Sequence, residues 1–342
     1  MQTAEASQAS TERVLSGPEL IRATVAFEKE NRWVTYSLFV QTVTVMVALL
    51  AVVIWVPAWP IKVLAGMVAG LVQVRLFIFY HDALHGALFR KAPVAQFCMS
   101  FVGFYLMSVR SVWKESHDFH HQHNGKIATA SIGSYPILTV DMLRSTSPLR
   151  LRAYTIVRHP LSMVFGCLSV FAVGMALVPF LRRPGRHWAA PLAVLCNAAV
   201  FVAVVYWLGW MVAVCGLLLP SFISMALGSY LFYAQHNFPA MQIRPAADWD
   251  YVTAALRGSS MFDMSRMMHW FTGNIGYHHV HHVNHRIPFY RLREAMQALP
   301  ELQQPGRTSW RLKDVIACLR LYAWDAKQGR MLTYAESRVA GR

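Results

Sequence analysis

Charge is scarce in this chain. Aspartate and glutamate together number 17 of 342 residues, and charged residues of both signs make up 14% of the sequence, against about 25% in an ordinary soluble domain. With 55% hydrophobic residues and a mean hydropathy of +0.34, the composition excludes an ordinary soluble enzyme and predicts a membrane protein. Cysteine is also sparse. Cys98, Cys167, Cys196, Cys215 and Cys318 show no CxxC spacing and three lie in apolar runs, so neither a disulfide framework nor a thiolate metal site is expected, only small buried hydrophobes. The opening residues, MQTAEASQASTERVLSGPEL, lack the basic start and apolar core of a signal peptide, which predicts a cytoplasmic N-terminus. The basic surplus, a formal +15, is dispersed between apolar segments and comes with no recognition motif. Nucleic acid is thereby excluded as a partner, and membrane lipids with anionic headgroups are favoured.

What the chain has in plenty is long apolar runs. Residues 36–59 carry no charge over a length that can cross a bilayer, which needs about 20 apolar residues. A turn at Pro57 to Pro60 leads to a second run, 61–81, interrupted only by Lys62 and Arg75. Residues 189–233 are wholly uncharged and about twice the length of one span, which predicts two more, 189–209 and 211–233, turning near Trp207 to Trp210. Two shorter apolar stretches, 95–109 and 161–180, are bracketed at both ends by Arg and Lys. The preference of basic residues for the cytoplasmic side makes both interfacial or re-entrant. The expected fold is an all-α membrane protein of four transmembrane helices with a cytoplasmic helical cap, 82–188 and 234–342. No repeat or long linker divides it, so 1–342 reads as one domain. Trp59, Trp207 and Trp210 fall at the outer turns, where an aromatic belt is expected.

The histidines gather on the cytoplasmic side of this scheme. "HDALHG" gives His81 and His85, four residues apart at the end of the second span; "KESHDFHHQHNG" gives His117, His120 and His121; "GYHHVHH" repeats that HxxHH spacing in His278, His281 and His282. In a helix, offsets of three and four share one face, while His279 points about 100° away. His236, in "FYAQHNF", follows the fourth span at the depth of the first box. Nine imidazoles exceed what one metal holds and point to two metals with open positions. Iron, zinc, copper and nickel all suit imidazole, so ligand type does not choose among them. Asp82, Asp118 and Asp263 are candidate carboxylates to orient the rings or simply solvated acids. His123, His279 and His285 lie close to the boxes and are expected to face solvent or form hydrogen bonds, with support of the ligands or replacement of one as the alternative, and His159, His187 and His269 to be structural.

"HDALHG", "HDFHH", "AQHNF" and "WFTGNIGYHHVHHVNHRIPFYRL" resemble the histidine boxes and flanks of the integral-membrane fatty acid desaturases, particularly the bacterial acyl-lipid, delta-12-like branch. The resemblance runs from about the second span to "RIPFYRL". It implies two irons held by His81, His85, His117, His120, His121, His236, His278, His281 and His282. It also implies an enzyme that uses oxygen and two supplied electrons to desaturate a fatty acyl chain, presented free, on CoA, on a carrier protein or in a lipid. Ala83, Leu84 and Ala87 depart from the small and hydroxyl residues common in box one, and di-iron hydroxylases and oxidative decarboxylases of acyl chains share these boxes. No fused HPGG-type cytochrome b5 signature occurs, so a separate ferredoxin-like or cytochrome donor is implied, its acidic surface suited to a basic cytoplasmic face. The expected location is the bacterial inner membrane, with active site and both termini on the cytoplasmic side.

Two other classes fit less well. An intramembrane zinc protease would use an HExxH-like motif and leave the second and third boxes unexplained. A metal transporter would place ionisable or thiolate groups within the spans, where the last two have no charge. Trp270, Phe271 and Tyr277 are expected to pack the cap, with substrate contact as the alternative, and Asn274 to orient a ligand or cap a helix. Leu312, Val315, Ile316 and Leu319 in "RLKDVIACLRLYAWD" predict an amphipathic helix that closes the cap or lies on the membrane.

Overall fold

A computed structural model of the protein describes residues 15–127 and 134–340. The cytoplasmic reading of the N-terminus rests largely on residues 1–14, which lie outside them. Four helices are long and apolar enough to cross a membrane: Arg32–Trp55, Trp59–His85, Ala189–Leu208 and Trp210–Ala234. The first begins four residues earlier than the apolar run suggests. Asn31 caps it by accepting from the backbone N–H of Val34 at 3.3 Å, so the polar start is folded into the helix. The second ends at Gly86, whose φ of 70° is the left-handed conformation that closes a helix. Gly209, at φ 87°, breaks the last apolar run into its two spans.

The second span is the central element, packing against both the first and the fourth. Its Gly66 and Gly70 make the close approach to the fourth span possible: a Cβ at Gly66 would lie 2.3 Å from the Cys215 carbonyl oxygen, and one at Gly70 would lie 2.8 Å from Ile223. Small residues four apart are how helices meet tightly in lipid, where apolar burial between them gains little. The charge near its N-terminal end is also accounted for. Lys62 donates to the carbonyls of Val53 at 2.6 Å and Ile54 at 3.3 Å, satisfying the open end of the first span. Trp55, Trp59, Trp207 and Trp210 are exposed around the turns that join the first span to the second and the third to the fourth.

The two shorter apolar stretches form the helix Pro93–Tyr105 and the helical segment Cys167–Arg182, whose stretch Cys167–Leu177 is π-helical. The cap is mostly helical, and it also holds two small sheets that helical periodicity does not reveal. One is Leu138–Thr139, Leu321–Asp325 and Arg330–Thr333; the other pairs Ser260–Asp263 in parallel with Gly306–Ser309. The amphipathic helix accordingly spans Leu312–Arg320, and the following LYAWD run is an extended strand, all five residues buried. Its aromatic content suits a pleated, enclosed surface better than a helix.

Candidate metal centre

The last turn of the second span carries His81 and His85; the helix Arg110–His123 carries His117, His120 and His121; the short helix His278–Val283 carries His278, His281 and His282; His236 follows the end of the fourth span. The third of these helices is drawn into place at Gly276. Its carbonyl accepts from Phe262 N–H at 2.8 Å, and a Cβ there would lie 2.6 Å from the Phe262 carbonyl oxygen. All nine imidazoles then converge, but as two groups. His81, His85, His117, His121 and His281 form one; His120, His236, His278 and His282 form the other, and in each the candidate ligand atoms lie within 4.8 Å of one another. The HxxHH spacing divides between them: the i, i+4 pair of box two joins the first group and its i+3 member the second, while box three does the reverse.

Eight of the nine are buried and only His85 is part-exposed. The Nε2 atoms face inward, with His81 and His117 at 2.9 Å, His121 and His281 at 3.1 Å, His120 and His236 at 3.0 Å, and His236 and His278 at 2.8 Å. Two of these rings have their tautomer set. The Nδ1–H of His81 donates to Asp82 Oδ1 at 2.9 Å and that of His236 to the Gly258 carbonyl at 3.0 Å, which leaves a bare lone pair on each Nε2. Nδ1 of His117, His120, His121, His278 and His282 is buried without a hydrogen-bond partner. Burial holds His117, His120, His121, His278, His281 and His282 well below the usual imidazole value and His236 down at about 4, so these rings are neutral at pH 7. Neutral lone pairs crowded face to face repel one another unless a cation lies among them. The donor set therefore fits two metal ions.

The supporting residues separate clearly. Asp82 is 2% exposed and holds His81, and its Oδ2 accepts from the Phe289 N–H at 2.8 Å. Asn274, in a left-handed turn at φ 55°, donates to the Phe289 carbonyl at 3.2 Å, so it is neither ligand support nor helix cap; it pins the segment after box three. Asp118 pairs with Lys114 at 2.7 Å and Asp263 with Arg307 at 2.8 Å, all of them solvent-accessible, and neither acid hydrogen-bonds a histidine. His123 and His279 hydrogen-bond to the carbonyls of Phe119 and Leu302, each at 2.9 Å. His285 is part-exposed; its ring lies 4.7 Å from that of His85 and 5.2 Å from that of His121, and its Nδ1 is buried without a hydrogen-bond partner. Its offset of four from His281 is the signal that points there. Trp270 lies over the Arg75 guanidinium at 4.5 Å, a packing role that also shelters a charge within the second span.

A cavity of about 850 Å³ ends against the first group at His117, Trp113 and Phe232, and reaches between the second span, the fourth span and the helix Cys167–Arg182. Its walls are largely apolar, and its volume is in the range of small-molecule sites. Trp113 stacks on His117 at 4.7 Å, and Phe232 packs on His120 at 5.4 Å. Gln73 in the wall is fully buried with neither amide atom hydrogen-bonded, and Glu115, Arg182 and Arg183 give the cavity one charged region. Apart from His117, none of these wall residues carries a motif, so spacing does not mark the slot.

The comparisons with known proteins agree with this arrangement. Residues 54–313 match the model of the family described as fatty acid desaturase. A fatty acid desaturase of Bacillus subtilis is 27% identical over 267 residues, 76% of this chain and 74% of that protein. The sn-1 oleoyl-lipid 12-desaturase of Synechocystis is 25% identical over 309 residues, 89% of this chain and 87% of that protein. With four membrane-length helices, nine histidines in two nests and a family match over most of its length, the chain belongs to the fatty acid desaturase family, membrane enzymes that desaturate fatty acyl chains.

Proposed function

We propose that this chain is an oxygen-dependent di-iron desaturase acting as a single membrane domain, and that the cavity ending at His117 receives the acyl chain. One observation carries the reading: two adjacent histidine nests, of five and four rings, stand where an apolar slot between membrane spans reaches His117. His81, His85, His117, His121 and His281 would hold one iron, and His120, His236, His278 and His282 the other. When bound, the irons supply the oxygen activation that oxidation of an unactivated C–H bond demands and that no side chain provides. In the net reaction two hydrogens leave the chain. Oxygen, two electrons and two protons from outside complete the formation of two waters.

The protein's own part is positional. Asp82 and the Gly258 carbonyl hold His81 and His236 in the tautomer that presents Nε2. The apolar walls keep the chain extended and dry, so the carbon at the Trp113 and Phe232 end is the one exposed to reaction. The basic residues that flank the spans support a cytoplasmic cap with both termini on that side, an acidic ferredoxin-like or cytochrome donor, and location in a bacterial inner membrane. Similarity to the sn-1 oleoyl-lipid 12-desaturase of Synechocystis supports a lipid-bound acyl substrate.

The test is product analysis of total fatty acids, hydroxy acids and alkenes by gas chromatography and mass spectrometry in a host expressing the wild type or His281→Ala. A new double bond with the wild type alone is the expected result. A hydroxyl group or a chain one carbon shorter, absent with the variant, would retain the centre and replace desaturation with hydroxylation or decarboxylation.

A further inference from the structure

One side of the slot that reaches His117 is built from the segment Cys167–Arg182. At intervals of a helical turn, Phe171, then Gly174 and Met175, then Val178 and Pro179 line it, and the next turn brings Arg182 onto the same lining. An apolar stripe thus runs into a cation. Arg182 is exposed, and arginine suits such an end, because its stem packs on apolar surface while its guanidinium stays in water.

The charge at that end is not balanced. Among the described residues Glu115, on the helix that carries His117, is the one acid in the lining. Its Oε1 accepts from Arg183 Nη1 at 2.8 Å and its Oε2 from Arg186 Nη2 at 3.0 Å, so one carboxylate serves two guanidinium groups, and Arg182 forms no ion pair among the described residues. His187, 3.8 Å from the same carboxylate, adds no charge, because burial holds its imidazole below the usual value and leaves it neutral at pH 7. An apolar slot with surplus positive charge at one end is the complement of an amphiphile with a negative head. The planar guanidinium matches the paired oxygens of a carboxylate or a phosphate.

We propose that Arg182 is a specificity-determining residue that holds the anionic head of the acyl substrate, a carboxylate or a lipid phosphate, while the chain lies along the stripe from Pro179 back to Phe171. The proposal rests on the reading of the slot as the acyl site. It makes the charge of the head a criterion for entry: a lipid with the same chain and an uncharged head binds less tightly.

The test is equilibrium binding to the full chain in a non-ionic detergent, with four probes that carry the same oleoyl chain. Oleate, at a pH where it is ionised, and dioleoylphosphatidylglycerol have anionic heads; methyl oleate and dioleoylglycerol are their uncharged counterparts. The proteins are the wild type, Arg182→Gln and the slot-filling Gly228→Phe. We expect the wild type to bind at least one anionic probe about tenfold or more tighter than its counterpart, oleate if the head is a free carboxylate and the phospholipid if it is a lipid phosphate. Arg182→Gln should erase that preference while its affinity for the uncharged probes, which reports an intact slot, stays as in the wild type. Equal affinity of the wild type for charged and uncharged probes overturns the proposal, as does a preference that survives in Arg182→Gln. If Gly228→Phe binds every probe as the wild type does, the slot is not the acyl site and both readings fall; if it weakens all four while the wild type shows no preference, only the role of Arg182 falls.

Discussion

Asp82 Oδ1 accepts the Nδ1–H of His81 at 2.9 Å while its Oδ2 accepts the N–H of Phe289 at 2.8 Å, so one buried carboxylate joins the first box to the segment that follows the third. Orientation of a ligand ring by such a partner is commonly worth 10–100-fold in metal affinity. Asp82→Ala should lower iron affinity by about that factor while helical content by circular dichroism is kept. Iron titration of the variant decides it; unchanged affinity would mean that His81 is held by packing alone.

Gly228 lines the cavity, and a Cβ there would meet nothing within 4 Å. Gly228→Phe should therefore grow into the slot without displacing the helix. The expected outcome is two irons per chain as in the wild type and turnover of long acyl chains reduced about tenfold or more, since small displacements of a reacting carbon are costly. A product profile identical to the wild type would place the acyl chain elsewhere.

Burial keeps His117, His120, His121, His236, His278, His281 and His282 neutral in the folded chain. Unfolded, each protonates below its ordinary value of about 6.5, so at acid pH the unfolded state binds more protons. The metal-free protein should be fully stable above about pH 6.5 and lose stability from there toward about pH 4, the value His236 reaches, by at most ~1.4 kcal/mol per pH unit for each ring. Thermal melts of chelator-treated protein between pH 7.5 and 5 test this. A melting temperature independent of pH would show that the rings do not stay buried without metal.

Arg158 is 4% exposed and pairs with no acid among the described residues; it donates to the Pro136 carbonyl at 2.7 Å, Asn237 Oδ1 at 2.6 Å and the Leu321 carbonyl at 2.9 Å. It ties the C-terminal strand and the cavity wall to the residue after His236. Arg158→Met strands several buried acceptors and should destabilise the protein by about 3 kcal/mol or more. Denaturation of both proteins in the same detergent provides the comparison, with equal stability as the contrary result.

The spans and the histidine boxes are legible in the sequence because their signals are local: an uncharged run of sufficient length, and ligands three and four apart on one turn of helix. The allocation of rings is not. Nothing in the spacing of box two says that His120 leaves His117 and His121 for another group, because that depends on where the fourth span delivers His236. The parallel pairings of the cap's sheets are hidden for a related reason: Leu138 pairs with Ala323 and Ser260 with Gly306, short partners far apart in sequence, and only the antiparallel pair Leu321–Asp325 and Arg330–Thr333 is local. Asp82 was visible as a candidate, whereas Asp118 and Asp263 could be told from it only by seeing Lys114 and Arg307 occupy them.

The crossed allocation of the histidines also sets an order in time. As the chain is made, His81, His85, His117 and His121 all exist once residue 121 has been added, whereas the other nest has only His120 until His236 is reached and is complete only at His282. A growing chain thus carries one nearly finished nest through the insertion of its last two spans and has no second one to offer. The five-histidine position is the first to gather most of its donors, and the helix His278–Val283 supplies the last members of both groups.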